Sequence, residues 1–188
     1  MTDKEYQRYM DEISEVQNQN LMNLNEKNFI KKVSLLTPQS YGNKIEKWIN
    51  KQIKSKMVMA KHNRGDLNLK GKYIEVKSSI ITKSNPFLNM VQIRLYQDLD
   101  YYLCCAFDVR DIRNYKSYFF LLTHDQMEEE MDVLTSTPAH GTKESVKDHN
   151  NIELRYSLLA NSNSKVFKRW ISKYQQESFS DIITKING

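Results

Sequence analysis

The chain has 188 residues, with 28 Lys and Arg against 23 Asp and Glu, a net charge of +5. That length suits one domain, and 39% apolar residues with 11% aromatics furnish a core, which excludes a disordered chain. Five Gly and three Pro exclude collagen-like and low-complexity architectures. No apolar run approaches the ~20 residues of a membrane span, and the charged stretch Met1 to Tyr9 has no signal-peptide core. A soluble, cytoplasmic protein without a membrane partner is expected. The only cysteines, Cys104 and Cys105, are adjacent in an apolar run. A mutual disulfide there would be strained, so both are expected as reduced core residues.

In chain order, Lys4 to Gln17 sets Tyr6, Met10, Ile13 and Gln17 at helical spacing. Asn25 caps a second predicted helix, from about Glu26 to Leu35. Thr37-Pro38-Gln39-Ser40 reads as a third helix start, since proline is tolerated in a first turn. That helix runs to about Lys54, with Tyr41, Ile45, Trp48, Ile49 and Ile53 as its apolar stripe. Strands are predicted at Met57 to Ala60, Asp66 to Leu69, Lys72 to Ile81, Asp100 to Val109 and Tyr118 to Leu122. Met90 to Leu99 is ambiguous between helix and extended chain. Thr123 to Met131 reads as helix, Thr135 to Asn151 as a polar loop, Ile152 to Leu158 as strand and Asn163 to Gln175 as a basic amphipathic helix. The order points to one α/β or α+β domain, a mixed central β-sheet flanked by helices. Residues 1–36 form a helical N-terminal region, 38–125 a core, 135–151 a loop and 163–176 a last helix.

Charge is unevenly spread. Lys27 to Arg64 holds ten basic residues and one acid, Glu46. Just beyond lies Arg64-Gly65-Asp66, then Glu75-Val76-Lys77. A two-residue turn at Lys70-Gly71 sets Asp66 opposite Glu75, with Lys77 on the same face. The reverse face takes Leu67, Leu69, Ile74, Val76 and Ile80. Facing carboxylates repel, so the pair is either neutralised by cations or used. Two carboxylates and a backbone carbonyl, that of Val76, suit Mg²⁺, and a neighbouring lysine can position water or steady charge on a phosphate. The other reading is an ordinary solvated strand face. A bulge would change the facing partner.

Gly65-Asp66…Glu75-Val76-Lys77 resembles the PD-(D/E)xK nuclease motif, with Gly65 in the proline position. Gly42 to Trp48 is similar to the helix that supplies an additional acid in restriction endonucleases and in a mismatch-repair nicking enzyme. The likeness covers roughly Ser40 to Val109. It implies a restriction-endonuclease-like core in the order helix, three strands, helix, strand. It also implies Asp66 and Glu75 as metal ligands, Lys77 as the catalytic lysine and Glu46 as an auxiliary acid. Mg²⁺, replaceable by Mn²⁺, is the implied cofactor, with no nucleotide cofactor. Double-stranded DNA is the implied substrate, cut by a type II, homodimeric, site-specific enzyme. A nicking or junction-resolving nuclease, or a non-catalytic DNA-binding module, are the alternatives.

Further candidates for DNA contact are Ser78 and Ser79 after the motif, Gln92 and Arg94, and His140, Thr142 and Lys143 in the polar loop. Gln97 and Tyr101 stand close behind Arg94. Ser78 and Ser79 are equally apt as structural hydroxyls, and the loop residues as plain surface. His62-Asn63 and His149-Asn150 are too far apart for an HNH-type nuclease.

Overall fold

The computed structural model describes residues 2–59, 63–133, 137–138 and 154–188. Their backbone contacts form two compact units, Met1–Gln52 and Ile53–Gly188, where the sequence reads as a single domain. The boundary falls at the end of a helix and has no Gly- or Pro-rich linker to mark it.

The first unit is helical. Helix α1 (Asp3–Asn18) opens with a capping box between Thr2 and Glu5. Helix α2 (Glu26–Val33) is capped by Asn25, as its sequence predicts. Helix α3 (Pro38–Ile53) begins with the expected proline. Ile45, Trp48 and Ile49 are buried, and the Trp48 ring stacks on Phe29 at 4.4 Å. Three α3 side chains one turn apart hold the segment between α1 and α2. Lys44 Nζ donates to the Gln19 carbonyl at 2.9 Å, Trp48 Nε1 donates to the Leu24 carbonyl at 3.2 Å, and Lys51 Nζ donates to Asn23 Oδ1.

The second unit is built on a six-stranded mixed sheet in the order β1-β2-β3-β5-β6-β9. Its strands are β1 (Lys56–Met57), β2 (Leu67–Leu69), β3 (Lys72–Ile81), β5 (Tyr101–Asp108), β6 (Lys116–Thr123) and β9 (Gln175–Gln176). Only β3 and β5 run parallel; the other neighbours are antiparallel. A second sheet, in the order β4-β8-β7, contains β4 (Phe87–Ile93), β7 (Thr137–Pro138) and β8 (Leu154–Leu159). Helices α4 (His124–Val133), α5 (Lys165–Tyr174) and α6 (Phe179–Asn187) complete the unit. The whole is an α+β fold with a mixed central sheet and, among the described residues, six α-helices.

Three differences from expectation matter. The resemblance implies a helix between the third strand and the next, but strand β4 occupies the crossover from β3 to β5. Leu88, Met90 and Ile93 turn into the core while Val91 and Gln92 are exposed. The register slips between Met90 and Ile93, and Gln92 takes a left-handed φ of 56°. That irregularity breaks the alternation, so neither helical nor strand periodicity is clean across Met90 to Leu99. The polar stretch 135–151 reads as a loop, yet Thr137–Pro138 pairs with β8. The last predicted helix ends one residue earlier than expected, at Tyr174, because Gln175–Gln176 form β9 by pairing with β6, and helix α6 lies past every predicted element.

One face of the main sheet carries Tyr102, Cys104, Ala106, Phe120 and Leu122 into a core shared with the second sheet, α4 and α5. At its centre is a buried carboxylate. Glu130 accepts from Trp170 Nε1 at 3.0 Å, from Tyr174 Oη at 2.8 Å, and from the Arg169 guanidinium. Glu130→Ala strands the two buried aromatic donors, while Arg169 is exposed enough to find water. The expected loss is about 2–4 kcal/mol, read by urea unfolding, with Glu130→Gln losing less because it keeps an acceptor in place.

Candidate active site

The β2–β3 hairpin closes through Lys70 (φ 51°) and Gly71 (φ 90°), the two left-handed residues that a tight hairpin turn demands. Leu67 pairs with Ile74, Asn68 with Tyr73 and Leu69 with Lys72, the predicted register. The ladder then departs from it. The Asp66 N–H donates to the Ile74 carbonyl at 2.9 Å, although Leu67 is the residue that pairs with Ile74. Two successive residues thus address one partner, as at a β-bulge. Asp66 is therefore not simply opposite Glu75. Its carboxylate Oδ2 instead accepts the Val76 N–H at 2.8 Å. N–H and C=O of a strand residue point to the same side, so the Val76 carbonyl lies on the Asp66 side of β3.

Gly65 makes this departure possible. It sits at φ +71°, and a Cβ there would stand 2.8 Å from the Ile74 carbonyl oxygen. The position in front of Asp66 thus excludes any side chain, both by conformation and by space.

Glu75 and Lys77 lie on the β3 face shared with Tyr102 and Cys104, their register partners on β5. They form an ion pair at 2.6 Å whose side chains are only 6% and 11% exposed. The solvated-surface reading is excluded for this pair. Ile74, Val76 and Ile80, on the reverse face, are buried as predicted. Taking both charges out of water carries a desolvation penalty of several kcal/mol per ion, offset only by close pairing. Around them, burial together with the Glu75 charge holds the Tyr102 hydroxyl well above its usual range. Burial is also the main cause that pushes the Cys104 thiol up to about 12, with Lys77 pulling it down and Glu75 adding to the rise.

The segment before Asp66 is fixed to the β4–β5 connection. The Asn63 carbonyl accepts the Asp98 N–H at 3.1 Å, and Arg64 pairs with Asp98 at 3.2 Å and donates to Tyr73 Oη at 3.2 Å. Asp100 accepts from the Tyr73 N–H at 2.9 Å and pairs with Lys72 at 2.8 Å. Burial pushes the Asp100 carboxyl up, but these partners outweigh it and hold the group below its ordinary range.

The other candidates separate. Ser79 is buried and its Oγ accepts the Asn89 N–H of β4 at 3.0 Å, in line with the structural reading of its hydroxyl. Ser78 is half-buried on the opposite face, and Gln92 is exposed at the β4 irregularity. Arg94 is half-buried, and its carbonyl accepts from Tyr102 Oη at 3.0 Å. Gln97 is buried, with an Oε1 that has no partner among the described residues. Glu46 is half-buried on α3 of the first unit. His140, Thr142 and Lys143, and the HNH candidates His62, His149 and Asn150, lie outside the described residues. In the sequence Tyr102 and Cys104 read only as apolar strand positions; the parallel pairing with β3 is what brings them to the site.

Asp66, Glu75 and the Val76 carbonyl are hard oxygen donors. Among the described residues no third His, Cys, Asp or Glu joins them. Oxygen donors of this kind suit Mg²⁺, which is held by one or two carboxylates and keeps several waters. Comparison with protein-family models and with curated protein sequences returns no match.

The two left-handed glycines differ in what a side chain would cost. Gly71→Ala costs about 1–2 kcal/mol for its left-handed backbone alone, since nothing lies within 4 Å of the added carbon. Gly65→Ala adds a backbone clash and costs more; paired urea melts of the two variants give the difference. Cys104 and Cys105 are both free and buried, with thiols raised by burial. A thiol-reactive chromogenic disulfide at neutral pH is expected to label neither in the native protein and both after unfolding.

Proposed function

We propose that this chain is a Mg²⁺-dependent endonuclease of the PD-(D/E)xK type, hydrolysing phosphodiester bonds of double-stranded DNA at specific sites in the manner of a type II restriction enzyme. The observation that carries the proposal is the buried Glu75–Lys77 pair beside an Asp66 carboxylate anchored on the Val76 N–H. A charged pair kept at that depth, next to a second carboxylate, is what catalytic metal chemistry uses and what a plain surface does not need. The mixed sheet agrees with the expected core, although β4 stands where that family places a helix.

In this reading Asp66 and Glu75 hold the divalent ion, with the Val76 carbonyl as a further donor. Held by these residues, a divalent ion would supply Lewis-acid chemistry, polarising the scissile phosphate and acidifying a water. The Val76 N–H fixes one Asp66 oxygen, so the carboxylate cannot rotate away. Lys77 carries three N–H donors and spends one on Glu75, which leaves two for the attacking water or a phosphate oxygen. Burial raises the strength of each of these interactions relative to water. A homodimer would set one such site on each DNA strand, and Mn²⁺ would substitute for Mg²⁺.

The test is digestion of a mixed-sequence plasmid with Mg²⁺ or Mn²⁺, then sequencing of the ends. Asp66→Asn keeps an acceptor for the Val76 N–H and removes the charge, so the fold is retained. It and Lys77→Ala are each expected to lower cleavage at least about 10²-fold. Equal cleavage by wild type and Asp66→Asn, or no cleavage with either ion, sinks the proposal.

A further inference from the structure

The first unit holds a cleft of about 680 Å³ that the catalytic reading leaves unused. One wall is the polar face of α3, where Ser40, Asn43, Lys44 and Lys47 succeed each other at helical spacing. The other wall is the end of α1 and the segment after it, rich in side-chain amides such as Gln17 and Asn20. Helix α1 carries Asp3, Glu5, Asp11, Glu12 and Glu15, yet no Asp or Glu lines the cleft. Its two cations stand less than one turn apart. Neither forms an ion pair with another described residue. Lys44 is locked in place, since its Nζ donates to the Gln19 carbonyl at 2.9 Å and keeps two further N–H groups. Burial, and then the neighbouring Lys47, hold its ammonium below the usual lysine range. An anion between the two lysines would relieve that repulsion.

We propose that this cleft is a phosphate-binding site, which takes the phosphate of a nucleic-acid strand or of a free nucleotide against Lys44 and Lys47, with Ser40 and Asn43 as neutral donors. Lysine, serine, asparagine and glutamine are the side chains that contact phosphate oxygens. The cleft is far larger than a lone phosphate, so it accommodates the ligand's sugar and base as well, with Leu21 and Met22 as apolar wall. The site lies wholly in the first unit and does not depend on the catalytic reading.

Binding is measured by fluorescence anisotropy without divalent ions, using a short labelled duplex, a labelled single strand and, in competition, a 5′-mononucleotide. Asn43→Asp is nearly isosteric and puts a negative charge among the donors. Lys47→Gln removes an exposed cation that pairs with no acid among the described residues. Each is expected to weaken binding about ten-fold, and Lys47→Gln to reduce the log–log salt slope for duplex by about 1. Lys47→Arg should keep wild-type affinity. Loss confined to the strands identifies nucleic acid as the source of the phosphate; loss that extends to the mononucleotide identifies a nucleotide. If no probe binds, or if Asn43→Asp binds all probes like wild type, the proposal is overturned. Lys116→Gln, which removes an exposed cation of β6 that belongs to neither site, serves as the control. Intact binding by that variant alongside weak binding by Asn43→Asp assigns the phosphate site to the cleft, whatever the cleavage assay gives.

Discussion

The candidate site depends on how one strand stops. At Asp66 the β2–β3 ladder gives way, and a side-chain carboxylate takes over the Val76 N–H that a backbone carbonyl would otherwise satisfy. Buried N–H groups must be paired, so the exchange is feasible only because Asp66 sits within reach. It sits there because Gly65 adopts a left-handed φ and passes against the Ile74 carbonyl without a Cβ. One glycine and one aspartate thereby end a strand, open its neighbour's carbonyl edge and fix a carboxylate beside it.

The neighbouring charges on β3 are costly by the same physics. Glu75 and Lys77 occupy a sheet face whose remaining positions, Tyr102 and Cys104 among them, belong to the core. Charges at that depth are tolerated only as a close pair, and they impose themselves on the thiol and phenol nearby. The fold carries a second buried carboxylate, Glu130, of a different kind. It has donors from Trp170, Tyr174 and Arg169, all on one helix, and serves to seat α5 on the sheet. The contrast is informative. Glu130 is surrounded by aromatic donors that consume its lone pairs, whereas Glu75 has a lysine two residues away and a second acid across the hairpin.

Where the local signal is strong, much of the fold is legible in the sequence. The capped helices, the Lys70-Gly71 turn and the buried runs of β3 and β5 arise from periodicity and turn chemistry. The Asp66, Glu75 and Lys77 set is legible from spacing and resemblance. Strand β4 is not, because its bulge at Gln92 destroys the alternation that marks a strand. Strands β7 and β9 are not, because two-residue strands exist only through their partners. The hydrogen-bond partner of Ser79 is hidden for the same reason: Asn89 lies on another strand.

By itself, then, the sequence determined which residues can turn, cap and bury, and it placed two acids and a lysine at the far end of a hairpin. Those are properties of neighbours along the chain, governed by dihedral preference and side-chain alternation. Only the tertiary structure decided that Asp66 leaves the ladder to hold the Val76 N–H, that Glu75 and Lys77 are buried on the core-bearing face, and that α3 forms a cation-lined cleft with the segment after α1. Burial and hydrogen-bond partnership are set by what comes to lie opposite a residue, and residues distant in the chain, such as Tyr102 across from Glu75 or Gln19 across from Lys44, supply it.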